Sequence, residues 1–375
     1  MNIRLLKTID ALLGGLLARV LPGRSPAEEK AGPPGSILII RPGGIGDAIL
    51  LLPAIRALKA AHPDAAIDVL AEKRNGQAFA FSAGIHQVFR YDGGTELLQV
   101  LRNRYDVVID TEQWHRLSAV VARLIRSPIR IGYATNERQR LFTYAVAYSH
   151  DTYEADSFCN LLTPLGIGPT DEPAASFIEI TPEAHERAGE LLGDLQHRSF
   201  VALFPGASIP ERRWGTDNFR EVVSALAEEG IPSVVIGGGE DVDDGAKIVT
   251  DSSRLNLAGR TSLMETAAII EKSSVLISGD SGILHIGVGL GKPTVSLFGP
   301  GIAKKWAPRG ADHIVLNRNL PCSPCTRFGY TPKCSEGARC LREIAVEDVV
   351  AAVVTLLRKN DVQISQRSHL IPGCS

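Results

Sequence analysis

Short, unbroken apolar runs recur along the chain, separated by stretches with helical spacing. Ile37-Leu38-Ile39-Ile40 is the first run, Ile67 to Leu70 the second, and Val88 to Tyr91 and Val107 to Asp110 repeat the pattern. Runs apolar at consecutive positions fit strands covered on both faces, as in a parallel sheet. Between the first two runs, Asp47 to Ala61 carries Ile49, Leu50, Ile55 and Leu58 at helical intervals. A second series opens with Phe200 to Phe204 and continues through a helix over Thr216 to Glu229 and a strand over Ser233 to Ile236. A helix over Asp243 to Thr250, a strand over Leu255 to Leu257 and a helix from Ser262 to Lys272 follow, with Ser262 placed to cap it. The series closes with a strand over Ser274 to Ser278, a helix starting at Ser281 and a further strand ending at Phe298. Strands alternating with helices imply parallel sheets with right-handed crossovers.

The repeat of this alternation divides the chain. The expected organisation is an amphipathic helix and Pro/Gly-rich linker over 1–35, a Rossmann-like domain over 36–180, a second over 181–358, and a tail over 359–375. The boundary falls near Thr181 to Arg198. A chain of 375 residues suits two domains of about 150 residues each. In such sheets, ligands sit beyond the carboxyl ends of the strands, where every candidate loop falls.

The first helix has its own pattern. Leu5, Leu6, Ile9, Leu12, Leu13, Leu16, Leu17, Val20 and Leu21 share one face, with Arg4, Lys7, Asp10 and Arg19 elsewhere. The linker from Pro22 to Gly35 makes this helix an appendage tethered to the body, suited to lying in a membrane interface. Docking on its own protein is the competing expectation. Asp10 and Arg19 interrupt the apolar core that an export signal needs, and no run reaches the ~20 apolar residues of a membrane span.

Composition narrows the partners. An apolar fraction of 44% and a charged fraction of 22% suit a soluble globular protein. A net charge of −2 gives no general reason to expect a nucleic-acid partner. Of six cysteines, Cys159 and Cys374 stand alone, while Cys322, Cys325, Cys334 and Cys340 cluster. Without an export signal, this spacing favours reduced thiols or a small metal knuckle over disulfides, and its chemistry is structural. It is near the spacing of structural zinc sites without matching a standard one.

Candidate chemistry gathers at the ends of the strands. In Ser278-Gly279-Asp280-Ser281-Gly282, free N–H groups at a helix start, a hydroxyl and small residues form a cradle for phosphate. Asp280 would repel phosphate and suits sugar hydroxyls, so the pair reads as a sugar-diphosphate site. His285 lies four residues after Ser281 and so on the same helical face. Gly43, Gly44 and Gly46 allow a sharp turn and close ligand approach, but Ile49 stands where a dinucleotide fingerprint needs a third small residue, so the loop argues against NAD. Asp47 at that helix start reads on its own as a cap.

These two segments together resemble the ADP-heptose:lipopolysaccharide heptosyltransferases, glycosyltransferase family 9. The resemblance rests on Arg41-Pro42-Gly43-Gly44-Ile45-Gly46-Asp47 and on Ser278 to His285 with Gly291 to Pro300, and runs from about Ser36 to about Val354. It implies a GT-B architecture, two Rossmann-like domains facing across a cleft, and an inverting transfer of heptose from an ADP-sugar to lipopolysaccharide core or a related glycolipid. It makes Asp47 the general base and the glycines of that loop part of an acceptor or phosphate loop. In the second domain it points to Gly206, Ser208, Arg212, Glu240, Asp280, Ser281, Gly282 and His285 as donor-binding. The family carries Lys where Arg212 aligns, and Arg213 is the competing cation. The Cys-x-Pro-Cys motif also occurs in members of the family, outside the chemistry. No cofactor is implied beyond the ADP-sugar substrate. The acceptor class, a lipid-linked glycan, places the enzyme in the cytoplasm, with the first helix as its contact to the inner membrane face. A nucleotide-sugar epimerase and a non-catalytic sugar-nucleotide-binding protein are the alternatives, though the chain shows no second acid/base pair for epimerisation.

Overall fold

The protein is described from a computed structural model that covers residues 10–23, 32–168, 176–250, 254–327 and 330–369. Leu5, Leu6 and Ile9 of the first helix, residues 24–31 of the linker and Cys374 lie outside the described residues, as does the side chain of Leu12. Two compact units divide the chain, Met1–Glu179 and Ile180–Ser375.

In the first unit, a π-helical turn over Asp10–Gly14 leads into α1 (Gly15–Val20), then β1 (Ser36–Arg41), α2 (Ile45–Ala61), β2 (Ala66–Ala71) and β3 (Gln87–Arg90). Helix α3 (Gly94–Arg102), β4 (Val107–Asp110), α4 (Arg116–Leu124), β5 (Ile129–Tyr133), β6 (Tyr144–Val146) and α5 (Glu154–Asn160) complete it. All six strands pair in parallel in the order β3-β2-β1-β4-β5-β6. Strand β1 sits in the middle with Ile37, Leu38 and Ile40 fully buried, which is why its sequence is apolar at consecutive positions. The order reverses between β1 and β4, and that switch point is where such sheets open a crevice for ligands.

The second unit repeats the plan. Helix α6 (Pro182–Leu192) precedes β7 (Val201–Phe204), α7 (Thr216–Glu228), β8 (Ser233–Val235), α8 (Val242–Ile248) and β9 (Leu255–Asn256). After these come α9 (Leu263–Lys272), β10 (Val275–Gly279), α10 (Gly282–Gly289), β11 (Thr294–Phe298), α11 (Ala303–Trp306), β12 (His313–Asn317), α12 (Arg339–Arg342) and α13 (Val346–His369). Its parallel sheet runs β12-β11-β10-β7-β8-β9, and the switch point lies between β7 and β10. Ser262 caps α9 through the amide of Glu265, whose carboxylate takes the Ser262 N–H in return. Helix α13 continues to His369, well into the stretch expected as a tail. Its first turns close the core with Val349, Val353 and Leu356 against Val223 and Leu226 of α7.

The first helix is built into the body where it is described, and this corrects the tethered appendage expected from the linker. Ala18 is fully buried in the unit's core, with Leu17 and Leu21 packed against the same cluster. Gly14 makes the approach possible: a Cβ there would lie 3.1 Å from Arg116 Cβ. The Asp10 carboxylate accepts the amides of Arg116 (2.8 Å) and Leu117 (2.7 Å), which are free donors at the start of α4. Burial alone would raise the Asp10 pKa, but a hydrogen bond from His115 and these amides pull it below the usual range. The residue that interrupts the apolar stripe is thus a cap for a helix about a hundred residues away in sequence. Among the described residues no helix is long and apolar enough to cross a membrane.

Candidate active site

The loop after β1 carries the first group of candidate residues. Gly43 adopts φ +119°, a conformation open to glycine, and a Cβ there would also lie 2.9 Å from Arg41 Nη2. Gly44 caps α2 in an extended conformation and faces open space, and Gly46 and Asp47 lie in the first turn. Asp47 is partly exposed, and its Oδ2 receives Arg41 Nη2 at 3.2 Å. As a cap it would bond the first amides of α2; among the described residues it bonds the guanidinium instead.

At the end of β4, across the switch point from β1, Glu112 accepts the amides of Gln113 (3.0 Å), Trp114 (3.1 Å) and His115 (3.3 Å). Its burial works to raise its pKa, yet Arg41 foremost, with His115 and Arg138, holds it below the ordinary range. Glu154, fully buried at the start of α5, accepts from Gln113 Nε2 and from the Tyr148 hydroxyl (3.2 Å). The Tyr133 hydroxyl is buried with no partner among the described residues. This polar floor was not anticipated. The signal for it was weak: Asp110-Thr111-Glu112 puts charge directly after an apolar run.

The second group lies at the switch point of the second unit. Arg212, after β7, places Nη1 3.2 Å from Asp280 Oδ2, after β10. Ser281 caps α10 by accepting the Leu284 amide (3.3 Å), and its hydroxyl also contacts Ser278 Oγ (2.9 Å). Gly282 opens the helix. One turn on, His285 is buried, and burial, only partly offset by Asp280, pushes its pKa down to about 4. It is therefore neutral at physiological pH. Its Nδ1, Arg212 Nε and Asp280 Oδ2 have no hydrogen-bond partner of good geometry among the described residues. Three buried polar atoms left open around one helix start are what a polar ligand would satisfy. Gly301, missed in the sequence, belongs here too: a Cβ at that position would lie 2.2 Å from Asp280 Oδ2.

The remaining candidates fall at neighbouring loops. Ser208 is exposed on the loop after β7, and Glu240 is exposed in a turn after β8. Gly206 packs on another residue: a Cβ there would lie 2.3 Å from Asp241 Oδ1. Burial raises the Asp241 pKa against the bond from the Gly238 amide. Arg213, the competing cation, contacts Asp241 (3.5 Å) and Asp244 (2.7 Å). The structure thus separates the two arginines, Arg212 toward Asp280 and Arg213 toward the acidic turn.

The cysteines do not form a ligand set. Cys322, Cys325, Cys334 and Cys340 are free thiols, and among the described residues no group of three or more His, Cys, Asp or Glu could hold a metal ion. The segment packs instead on the loop after β11, with the Cys325 and Thr326 amides donating to Pro300 O (3.1 and 2.9 Å). Gly299 leaves room for Cys340, whose Sγ would be 2.9 Å from a Cβ.

Two parallel units of Rossmann strand order, each with its charged loops at the switch point, define the GT-B class of glycosyltransferase fold. The sequence profile of Glycosyltransferase family 9 (heptosyltransferase) matches residues 95–334, and the chain belongs to that family. Among its relatives, lipopolysaccharide heptosyltransferase 3 of Escherichia coli K12 is 28% identical over 353 residues, spanning 87% of this chain and 99% of that protein. The solved ADP-heptose lps heptosyltransferase II of E. coli shares the fold at a TM-score of 0.71 and 21% identity, over 87% of this chain and 99% of that one. The E. coli heptosyltransferase solved with ADP-2-deoxy-2-fluoro heptose shares it at 0.66 and 17%, again over 87% and 99%.

Proposed function

We propose that this glycosyltransferase moves heptose from ADP-heptose to the core of lipopolysaccharide or a related glycolipid, with inversion at the anomeric carbon. The observation that carries the reading is the group Arg212, Asp280, Ser281 and His285 at the second switch point, in a chain whose relatives are named heptosyltransferases. Amides at the start of α10 and the Arg212 guanidinium take the diphosphate, while Asp280 and Glu240 accept from sugar and ribose hydroxyls. Asp47 takes the proton of the acceptor hydroxyl through Oδ1. The acceptor oxygen bonds to C1 as the C1–O bond to the diphosphate breaks, and the leaving oxygen departs with the electron pair. Arg212 and the helix start stabilise the charge that grows there.

The acceptor is lipid-linked, and the outer face of the first helix fits a place on the cytoplasmic side of a membrane. Leu13, Leu16 and Val20 are 48%, 57% and 69% exposed, beside Arg19, which is itself exposed. A surface helix with apolar and basic residues outward suits shallow contact with anionic lipid.

Mass spectrometry of products from purified protein given ADP-heptose and truncated core acceptors tests the reading. A mass increase of one heptose on the acceptor is expected. Hydrolysis or epimerisation of the donor without transfer would overturn it. Because cationic and amide groups already face the diphosphate, turnover is expected to persist in EDTA, and strict dependence on added Mg²⁺ would contradict that part of the mechanism.

A further inference from the structure

Arg41 closes β1 with its side chain 2% exposed and turns back over Gly43 toward the first turn of α2. Its Nη1 donates to Thr111 O at 2.8 Å, and its Nη2 lies 3.2 Å from Asp47 Oδ2 and 3.8 Å from Glu112 Oε2. The guanidinium stands 5.6 Å from the centroid of the Phe158 ring, and the Arg41 carbonyl accepts Asn75 Nδ2 at 3.0 Å. Burial works against the charge, but Asp47, and after it Glu112 and Glu154, hold the pKa above its ordinary value. The cation is therefore fixed in place and permanently charged.

The way it is bonded is uneven for a structural ion pair. Its Nε is buried without a partner, and the nearest buried carboxylate, Glu112, is beyond hydrogen-bond distance. The contact with good geometry goes to the partly exposed Asp47. A buried pair that served only stability would satisfy its donors, since an orphaned one costs about 1–3 kcal/mol. Gly43 carries the same message. Any side chain there would meet the guanidinium, so the glycine keeps Arg41 folded back over the turn.

We propose that Arg41 is a positioning residue for the transfer. It fixes Asp47 Oδ2 and so presents Oδ1, which has no partner among the described residues, to the acceptor hydroxyl. Glu112, itself locked by three amides, adds its charge 3.8 Å from the same Nη2, while Nη1 is anchored on Thr111 O. A carboxylate on a flexible side chain at a helix start would otherwise sample several rotamers, and a 1 Å misplacement of a reacting group can cost ~10²-fold in rate. This inference rests on Asp47 being the base.

The test is a double-mutant cycle on the full chain with Asp47→Asn, Arg41→Met and the pair combined, followed by steady-state transfer kinetics and ADP binding. Arg41→Met should lower kcat by ~10²-fold, leave ADP affinity unchanged, and cause no further loss when added to Asp47→Asn, because its effect runs through that carboxylate. Arg41→Lys keeps the charge but cannot reach Thr111 O and Asp47 together, and should fall between the wild type and Arg41→Met. Near-normal turnover in Asp47→Asn would remove the base assignment and this inference with it. An inactive Asp47→Asn beside a fully active Arg41→Met would overturn the inference alone, as would losses that multiply in the combined variant. Should Arg41→Met fail to fold, Arg41→Lys decides: wild-type kcat there overturns the proposal.

Discussion

Arg212 and Asp280 form an ion pair of 3.2 Å joining the loops that follow β7 and β10, the two strands at which the second sheet changes direction. The pair explains how a carboxylate can sit beside the proposed phosphate cradle. Its charge is matched by the guanidinium, so it need not repel the diphosphate that we propose binds here.

Loss of Arg212 should therefore act on both binding and folding. Arg212→Ala should weaken ADP binding by ~1.5–3 kcal/mol, the usual worth of a hydrogen bond to a charged group, and lower Tm by leaving Asp280 buried without its cation. Arg213→Ala, which releases Asp241, Asp244 and the Ala207 carbonyl but leaves the Arg212–Asp280 pair in place, should leave ADP affinity within error. Calorimetry on both variants checks this, and the reverse ranking would transfer the role to Arg213.

Asp47→Asn keeps the shape of the side chain and removes the proposed base. We expect kcat to fall by ~10²-fold or more, with donor affinity nearly unchanged. Rapid-quench measurement of heptose transfer, with ADP binding measured in parallel, separates a lost chemical step from a lost site.

His285 sets a pH dependence of stability. Its pKa is about 4 in the folded chain and about 6.5 when unfolded. Between these values the unfolded chain binds a proton that the native one does not, so stability falls as pH drops through 6.5 toward 4. Tm should decline from pH 7 to pH 5, and more steeply in the wild type than in His285→Gln. Equal slopes in the two proteins would mean that His285 is not held neutral by its burial.

The first helix offers two opposite sides for test. Leu13→Glu with Leu16→Glu alters exposed positions, so Tm should hold while flotation with anionic liposomes is lost. Asp10→Ala removes the cap on α4 and should cost ~0.5–2 kcal/mol of stability in chemical denaturation. Flotation unchanged by the two glutamates would rule out this face as the lipid contact.

The sequence by itself determined the alternation of strands and helices, because parallel strands buried on both faces must be apolar at consecutive positions, as at Ile37 to Ile40 and at Val275 to Ile277. It also marked Asp280 and Ser281, a carboxylate and a hydroxyl at a small-residue turn leaving an apolar strand, whereas Asp47 read locally as a helix cap and stood out only through the family resemblance. Only the tertiary structure decided which charges meet. Arg41 reaches back to Asp47 while Glu112 approaches from a neighbouring strand, and no periodicity reports a contact across seventy residues. The same holds for Gly301, whose missing side chain makes room for Asp280, and for Asp10, whose use as a remote helix cap reverses its meaning in the local pattern. Hydrophobic spacing is a one-dimensional signal set by each element's own geometry. The partners of a buried polar group are chosen by topology, which brings the carboxyl ends of distant strands side by side.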